Sequence, residues 1–435
     1  MTQQRHDHTH HTAFGDMPAG RLTRRRALAR SLGLLGGLAL SGVRRPHSAA
    51  AHVPEHPVPP DPTKVLGRSS SAYGFRSPFE APVVRQKVPI PTEAPAASWT
   101  PLHDARGIIT PSALHYEVHH GGVPVIDPTK HILIIHGLVE RPLKLTLDDL
   151  MRYPAVNRIH FLECAGNSLW EWRKAMKNVQ QTHGFLSGSE WTGVRLSTLL
   201  REVGIKSDAK WIIAEGADGA RMNRSIPLDK AWDDTLVAYG QNGEALRPEQ
   251  GYPMRLLLPG WEGNMSIKWL HVLKVTDQPY QTREETSKYT DLICRDGDCT
   301  ARQFTFVMEA KSVITYPSEQ HPLRGAPGFV EIRGLAWSGR GAITRVEVST
   351  DGGNSWQLAT LQQPVLPQAL TVFRFPWRWG GQETILQSRC TDETGYVQPT
   401  RAALINVRGT ASVYHYNAIQ SWKVASNGSI HNVHV

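Results

Sequence analysis

Only four cysteines occur in 435 residues, Cys164, Cys294, Cys299 and Cys390. That is too few for a disulfide scaffold at this length. No C-x-x-C-H run is present, so covalent c-type haem is not expected, and electrons handled by this chain need another carrier. Long apolar runs are missing too: the stretch from Leu32 to Leu40 falls well short of the ~20 residues that span a bilayer. Acidic residues are in the minority, 39 Asp and Glu against 48 Lys and Arg, for a formal net charge of +9. The basic residues are spread through segments of folded composition, and no motif that reads DNA or RNA accompanies them. The excess therefore points away from nucleic acid and suits an anionic cofactor, an anionic substrate or an acidic redox partner. With 40% hydrophobic residues, the chain is neither disordered nor fibrous as a whole.

What is present divides into successive segments. Thr23-Arg24-Arg25-Arg26-Ala27-Leu28, the apolar stretch after it and Ala49-Ala50-Ala51 have the order of a secretory signal. The paired arginines suggest the twin-arginine kind, which exports folded proteins; residues 1–51 are read as this leader and the mature protein as periplasmic. His6, His8, His10 and His11 lie upstream of the signal and receive no role. Residues 52–105, rich in Pro, Ser and Ala, read as an extended arm. From 106 to 307 the pattern is α+β. Strands are expected at 131–135, 157–163, 211–214, 235–239, 254–258 and 267–275. A short helix should open at Thr146, and a second, capped by Ser197, should end at Gly204. Gln241-Asn242-Gly243 signals a tight turn. From 308 to 435, short alternating strands separated by turns such as Asp351-Gly352-Gly353-Asn354 predict an all-β sandwich.

The run richest in chemistry is His160-Phe161-Leu162-Glu163-Cys164-Ala165-Gly166-Asn167. A strand delivers a thiol to a glycine-containing turn, where backbone can approach a ligand closely. On its own, such a cysteine is either a small core residue or a soft ligand for a transition metal. The wider sequence decides. The run resembles the molybdenum-ligand segment of the sulfite oxidase family, and further segments resemble that family in the same order. These are Ala214-Glu215-Gly216-Ala217-Asp218, Gly251-Tyr252-Pro253-Met254-Arg255-Leu256, Ser266-Ile267-Lys268-Trp269-Leu270 and Ser287-Lys288-Tyr289. The resemblance runs from about residue 106 to the C-terminus.

It implies a molybdopterin-binding α+β domain followed by an immunoglobulin-like β-sandwich used for dimerisation, hence a homodimer, and a molybdenum–molybdopterin cofactor with no haem on this chain. Cys164 would ligate the metal. Cofactor contacts are implied for Tyr116, Glu117, His119, His120, Cys164, Asp218, Gln250, Arg255, Ser266, Ile267 and Lys268, and catalytic roles for Cys164, Tyr289 and Arg374. The chemistry agrees. Arg255 and Lys268 suit the cofactor's phosphate, Asp218 can accept from pterin ring N–H groups, and the Tyr289 phenol can hydrogen-bond an oxygen at the reacting centre.

Departures from the family pattern narrow the expectation. Val118 stands where sulfite oxidases carry an arginine, Ser168 and Leu169 follow the C-A-G-N run where arginines are usual, and Gln250 replaces a common histidine. Losing two fixed arginines should weaken the grip on free sulfite by several kcal/mol, at roughly 1.5–3 per charge-assisted hydrogen bond. Tyr116-Glu117-Val118-His119-His120 and Cys294-Arg295-Asp296-Gly297-Asp298-Cys299 are similar to the branch of the family that works in thiosulfate oxidation. That similarity implies a sulfane sulfur carried by a partner protein as substrate and a c-type cytochrome subunit as electron acceptor. Other readings stay open on sequence: a dehydrogenase of free sulfite using His119 or Arg173, or a cofactor-free exported scaffold. Cys294 and Cys299 are read as a loop staple, with redox work or metal binding as alternatives, and Cys390 as core.

Overall fold

A computed structural model describes residues 61–295, 298–410 and 412–435. The expected leader lies outside the described residues, as do the side chains of Cys294 and Cys299 and hence the proposed staple. The chain divides into two compact units, Met1–Gly74 and Phe75–Val435. Everything below concerns the second. No helix among the described residues is long and apolar enough to cross a membrane.

Two five-stranded sheets build the first half. In one, Ala155–Glu163 pairs with the long strand Leu186–Arg195, which pairs with Leu236–Gln241, and the last also carries Glu244–Ala245 and Arg255–Leu257. The second runs Leu143–Leu145, Leu133–Gly137, Leu270–Thr276, Trp211–Gly216, Asn223–Pro227, with one parallel contact between Leu133–Gly137 and Leu270–Thr276. Leu133, Ile135, Val194, Leu199, Ile212, Val237, Leu256 and Leu273, all fully buried, belong to one core that also takes the inner face of helix Leu196–Val203. Asn242 and Gly243 both take positive φ between paired Gln241 and Glu244, the two-residue hairpin that an Asn-Gly step favours.

The β-sandwich follows. Lys311–Tyr316, Gly328–Trp337, Thr371–Trp379 and Thr360–Leu361 form one sheet. Gln357–Leu358, Ile343–Ser349, Thr384–Asp392, Ser421–Val424 and Ile430–Val433 form the other. Cys390 is buried and free in this core, as its strand position implies. The core does not stop at the sandwich, for Leu102, Phe161, Val179 and Leu186 from the first half pack into the same apolar cluster.

Some sequence expectations shift. Thr146 caps helix Leu147–Leu150 through a reciprocal bond with Asp149, as foreseen. Ser197, by contrast, is buried inside helix Leu196–Val203, whose N-cap is Arg195 without a side-chain bond. Here packing of the apolar face overrides the cap signal. The strand expected from 267 begins only at Leu270, because Trp269 turns the backbone to φ 52° and frees Ile267 and Lys268 for the site. The last stretch of the proline-rich arm enters the core, while its described residues before Trp99 include almost no buried side chain. Ala96–Trp99 pairs with Glu117–His119, and Trp99 is buried against Phe185.

Candidate active site

Strand Ala155–Glu163 ends at Cys164, whose backbone is pinned by N–H donation to the Phe185 carbonyl at 3.0 Å and by accepting from Asn167 N–H at 2.8 Å. Asn167 in turn donates to Glu163 Oε1 at 2.9 Å and accepts from Phe185 N–H. The half-buried thiol faces a cavity lined by residues from several segments of the first half. Burial pushes the thiol up to about 12, so it stays protonated at neutral pH unless a cation stands beside it.

The opposite walls come from three loops. Tyr116, Val118, His119 and His120 enter from the edge strand Glu117–His119, Asp218 from the turn after Trp211–Gly216, and Gln250, Arg255, Ser266, Ile267 and Lys268 from 250–268. Gly121 lets the first two loops touch, since a Cβ there would strike the Ala220 amide.

Electrostatics define what this cavity wants. Arg255 is 3% exposed and donates only to neutral carbonyls, Gln250 O at 3.0 Å, Ser266 O at 2.9 Å and Leu256 O at 3.4 Å. Lys268 turns its ammonium onto Val118 O at 3.0 Å, Glu249 O at 3.1 Å and His119 Nδ1 at 2.8 Å. Neither cation has a carboxylate within ion-pair distance among the described residues. Burial brings Arg255 down to about 10, and burial with the neighbouring Arg255 charge holds Lys268 well below the usual lysine range. Asp218 and Glu249 favour the Lys268 charge only from a distance, and two enclosed cationic side chains without an ion-pair partner on one wall suit an anion.

The polar groups around them are set as acceptors. Burial keeps His119 neutral, at about 3, and Lys268 also disfavours its charge. Because Lys268 donates to Nδ1, the Nε2 hydrogen points to Glu117 Oε2 at 2.8 Å. Arg85 pairs with Glu117, which therefore orients His119 without lining the cavity. His115 is likewise held neutral by burial, at about 3. Its Nδ1 donates to Tyr116 O at 3.1 Å, which leaves Nε2, buried and without a partner, as a bare acceptor. Gln250 donates to the same Tyr116 carbonyl at 3.0 Å.

Tyr289 closes the site. It takes φ 49°, strained for a bulky side chain, between Lys288, the C-cap of helix Arg283–Ser287, and strand Thr290–Arg295. Its Oη lies 3.1 Å from His120 Nε2, and the two rings are parallel within 7°. His120 Nδ1 is 3.8 Å from Glu284. Burial raises Tyr289 well above the usual phenol range. The fully buried guanidinium of Arg224 lies 5.3 Å from the Tyr289 ring centroid and 3.3 Å from Glu285 Oε1.

Cys164, Tyr289 and every expected cofactor residue except Glu117 thus meet at one cavity. Arg374 does not. Its strand places it 43% exposed on the sandwich, paired to Glu331 at 2.8 Å and donating to Gln362 at 2.9 Å. Ser168 takes a left-handed turn into the interior, where it donates to Thr182 O and accepts from Lys311. His115, Met222, Asn264 and Trp269 line the cavity, and Arg224 backs it, without having been foreseen as site residues. His115 stands beside a quoted motif and Trp269 within one, whereas Arg224 lies on a strand with no pattern to mark it.

A cavity with one thiol, two cationic side chains that lack an ion-pair partner and a bare imidazole acceptor fits an anionic, metal-bearing pterin. The comparisons agree. Residues 120–284 match the oxidoreductase molybdopterin binding domain and residues 302–422 the Mo-co oxidoreductase dimerisation domain. The chain belongs to the sulfite oxidase family of molybdopterin oxidoreductases. Its particular likeness is to a chain of the sulfane dehydrogenase SoxCD from Paracoccus pantotrophus, at 47% identity and TM-score 0.83, covering 86% of this chain and 99% of that one. Among curated proteins it is 35% identical to NADH nitrate reductases of Ulva prolifera, over 58% of this chain and 32% of the relative, and of Oryza sativa subsp. japonica, over 67% and 34%. The chain spans about a third of the length of these nitrate reductases.

Proposed function

We propose that this oxidoreductase oxidises sulfane sulfur bound to a carrier protein and passes the electrons to a c-type cytochrome subunit. In this reading it works in the periplasm after twin-arginine export, as a homodimer within a larger assembly. When bound, the molybdenum centre supplies two-electron redox chemistry coupled to oxygen from water. Cys164 would hold the metal. Arg255 and Lys268 would offset the charge of the cofactor's phosphate, and Asp218 and His115 Nε2 would accept from its ring N–H groups. Tyr289 and His120 can hold or pass a proton at the phenol oxygen, with Glu284 behind the imidazole.

The observation that carries the substrate choice is the wall beside Cys164. Val118 lines the cavity where sulfite oxidases place an arginine, and Ser168 is spent on Lys311 and Thr182. His119, neutral and engaged on both ring nitrogens, offers no charge to a small dianion, and Arg173 is exposed and outside the cavity lining. Such a wall suits sulfur presented on a tether better than free sulfite. The 47% likeness to a sulfane dehydrogenase supports the same choice.

Steady-state kinetics test it. The wild type should turn over a sulfane-loaded carrier protein with a kcat/KM at least about 100-fold above that for sulfite, a difference of ~2.7 kcal/mol in transition-state binding. Val118→Arg should narrow the gap by improving sulfite. Equal efficiency on both, or preference for sulfite in the wild type, would replace the proposal with a free-sulfite dehydrogenase.

A further inference from the structure

Away from the Cys164 cavity, three side chains of metal-ligand type converge. One ligand atom each from His103, Asp104 and His321 lies within 4.8 Å of the other two. His103 and Asp104 belong to the turn Leu102–Asp104, which leads into the first half of the fold. His321 sits in the loop between sandwich strands Lys311–Tyr316 and Gly328–Trp337. Asp104 stands between the imidazoles, with Oδ1 2.7 Å from His321 Nε2 and Oδ2 3.2 Å from His103 Nε2. The two rings are 5.4 Å apart.

A further observation points to a missing partner. Gln320, next to His321 on the same open cavity, has a buried Oε1 without a hydrogen-bond partner, and the His103 side chain, which turns Nε2 to Asp104, is only 9% exposed. An unpaired buried acceptor is costly, and a bound ion with its water is one way to satisfy the Gln320 oxygen.

We propose that His103, Asp104 and His321 bind a divalent transition-metal ion, zinc by preference. Two imidazoles and one carboxylate with an open fourth position is a donor set suited to zinc, whereas magnesium and calcium prefer all-oxygen shells. With zinc bonds of ~2.0–2.2 Å, tetrahedral donor atoms stand roughly 3.3–3.6 Å apart, so the observed separations need only small side-chain rotations to admit the ion. The fourth position goes to water or to Gln320. Of the three arginines on this cavity, Arg106 is paired with Glu80 at 3.3 Å, Arg333 lies over the Tyr316 ring, and Arg324 is exposed, where water screens its charge. Since the ligands come from the turn before the first domain and from a sandwich loop, the ion clamps the two together and adds binding energy to the folded state.

The test is made on the purified, molybdenum-loaded enzyme. Wild type and His321→Ala are incubated with excess zinc, desalted and analysed for zinc and molybdenum by mass spectrometry, and both are titrated with cobalt(II). His321 is 45% exposed, so its removal should leave the fold and the molybdenum content unchanged. The proposal predicts about one zinc per chain more in the wild type, cobalt absorption bands that the variant lacks, and affinity weaker by at least about tenfold in the variant. The histidines at 6, 8, 10 and 11 are common to both chains, so the difference reports this site alone. Asp104→Asn, with the same molybdenum content, should behave like His321→Ala. Equal zinc and equal cobalt spectra in all three proteins would overturn the proposal and leave a hydrogen-bonded His–Asp–His trio.

Discussion

Lys311, on the first strand of the β-sandwich, donates to Glu163 Oε1 at 3.2 Å, and Glu163 immediately precedes Cys164. Both side chains are essentially unexposed, at 2% and 0%. Glu163 Oε2 accepts from Trp337 Nε1 at 2.6 Å, a second link from the sandwich. The thiol's position is therefore set as much by the second domain as by its own strand. Such a pair need not add net stability, but leaving one charge alone in the interior is expensive.

Removing the ammonium should accordingly cost more than its lost contacts. Lys311→Met is expected to destabilise the protein by about 3–5 kcal/mol, measured by denaturant unfolding. Lys311→Met with Glu163→Gln should recover part of that loss. A Lys311→Met protein as stable as the wild type would show that Glu163 is not charged or is paired elsewhere.

Arg255 and Lys268 are proposed to hold the cofactor's anionic group. Arg255→Met and Lys268→Met should each purify with less pterin than the wild type. The loss should be larger for Arg255, whose guanidinium is the more deeply buried. Since two cations on one wall repel, either change should leave the apoprotein as stable as the wild type or more so. Full pterin content in both variants would remove the anion argument.

A pH dependence follows from His415. Its backbone N–H donates to Ala165 O at 3.0 Å, which ties it to the Cys164 turn. Its ring lies between Glu309 Oε2 at 2.9 Å and Glu262 Oε1 at 3.1 Å. Burial opposes its charge, but Glu309 and Glu262 outweigh that and raise it to about 10. A folded pKa above the unfolded value of ~6.5 means that this stabilisation is complete below that pH. It is then lost as pH rises towards 10. Unfolding free energy should fall across this window in the wild type and fall less in His415→Asn. A parallel pH profile in the variant would contradict the assignment.

Much of this was legible in the sequence, for identifiable reasons. Strands with strong apolar patterning, such as Ala155–Glu163 and Gly328–Trp337, and the Asn242-Gly243 turn declare themselves locally. The cavity was legible through the family resemblance, which rests on short motifs at 116–120, 164–167, 214–218, 251–256 and 266–270; spacing alone left Cys164 open between a core residue and a ligand. What stayed hidden depends on long-range packing. Ser197 carries a capping side chain but is buried by the helix's apolar face, and Trp269 leaves the strand to free Lys268. Arg224, Lys311 and His415 are buried charges whose partners lie 61, 148 and 153 residues away. No local period encodes such pairings. Arg374 shows the converse, an arginine in a suggestive stretch whose charge Glu331 takes up.

The most direct measurement is molybdenum and pterin content per chain in the purified wild type and in Cys164→Ser, with turnover and metal–sulfur X-ray absorption alongside. The account predicts about one molybdenum per wild-type chain with a protein thiolate among its sulfur ligands. In the variant that ligand and the activity should both be gone. A metal-free wild type, or a Cys164→Ser enzyme with full turnover, would contradict it.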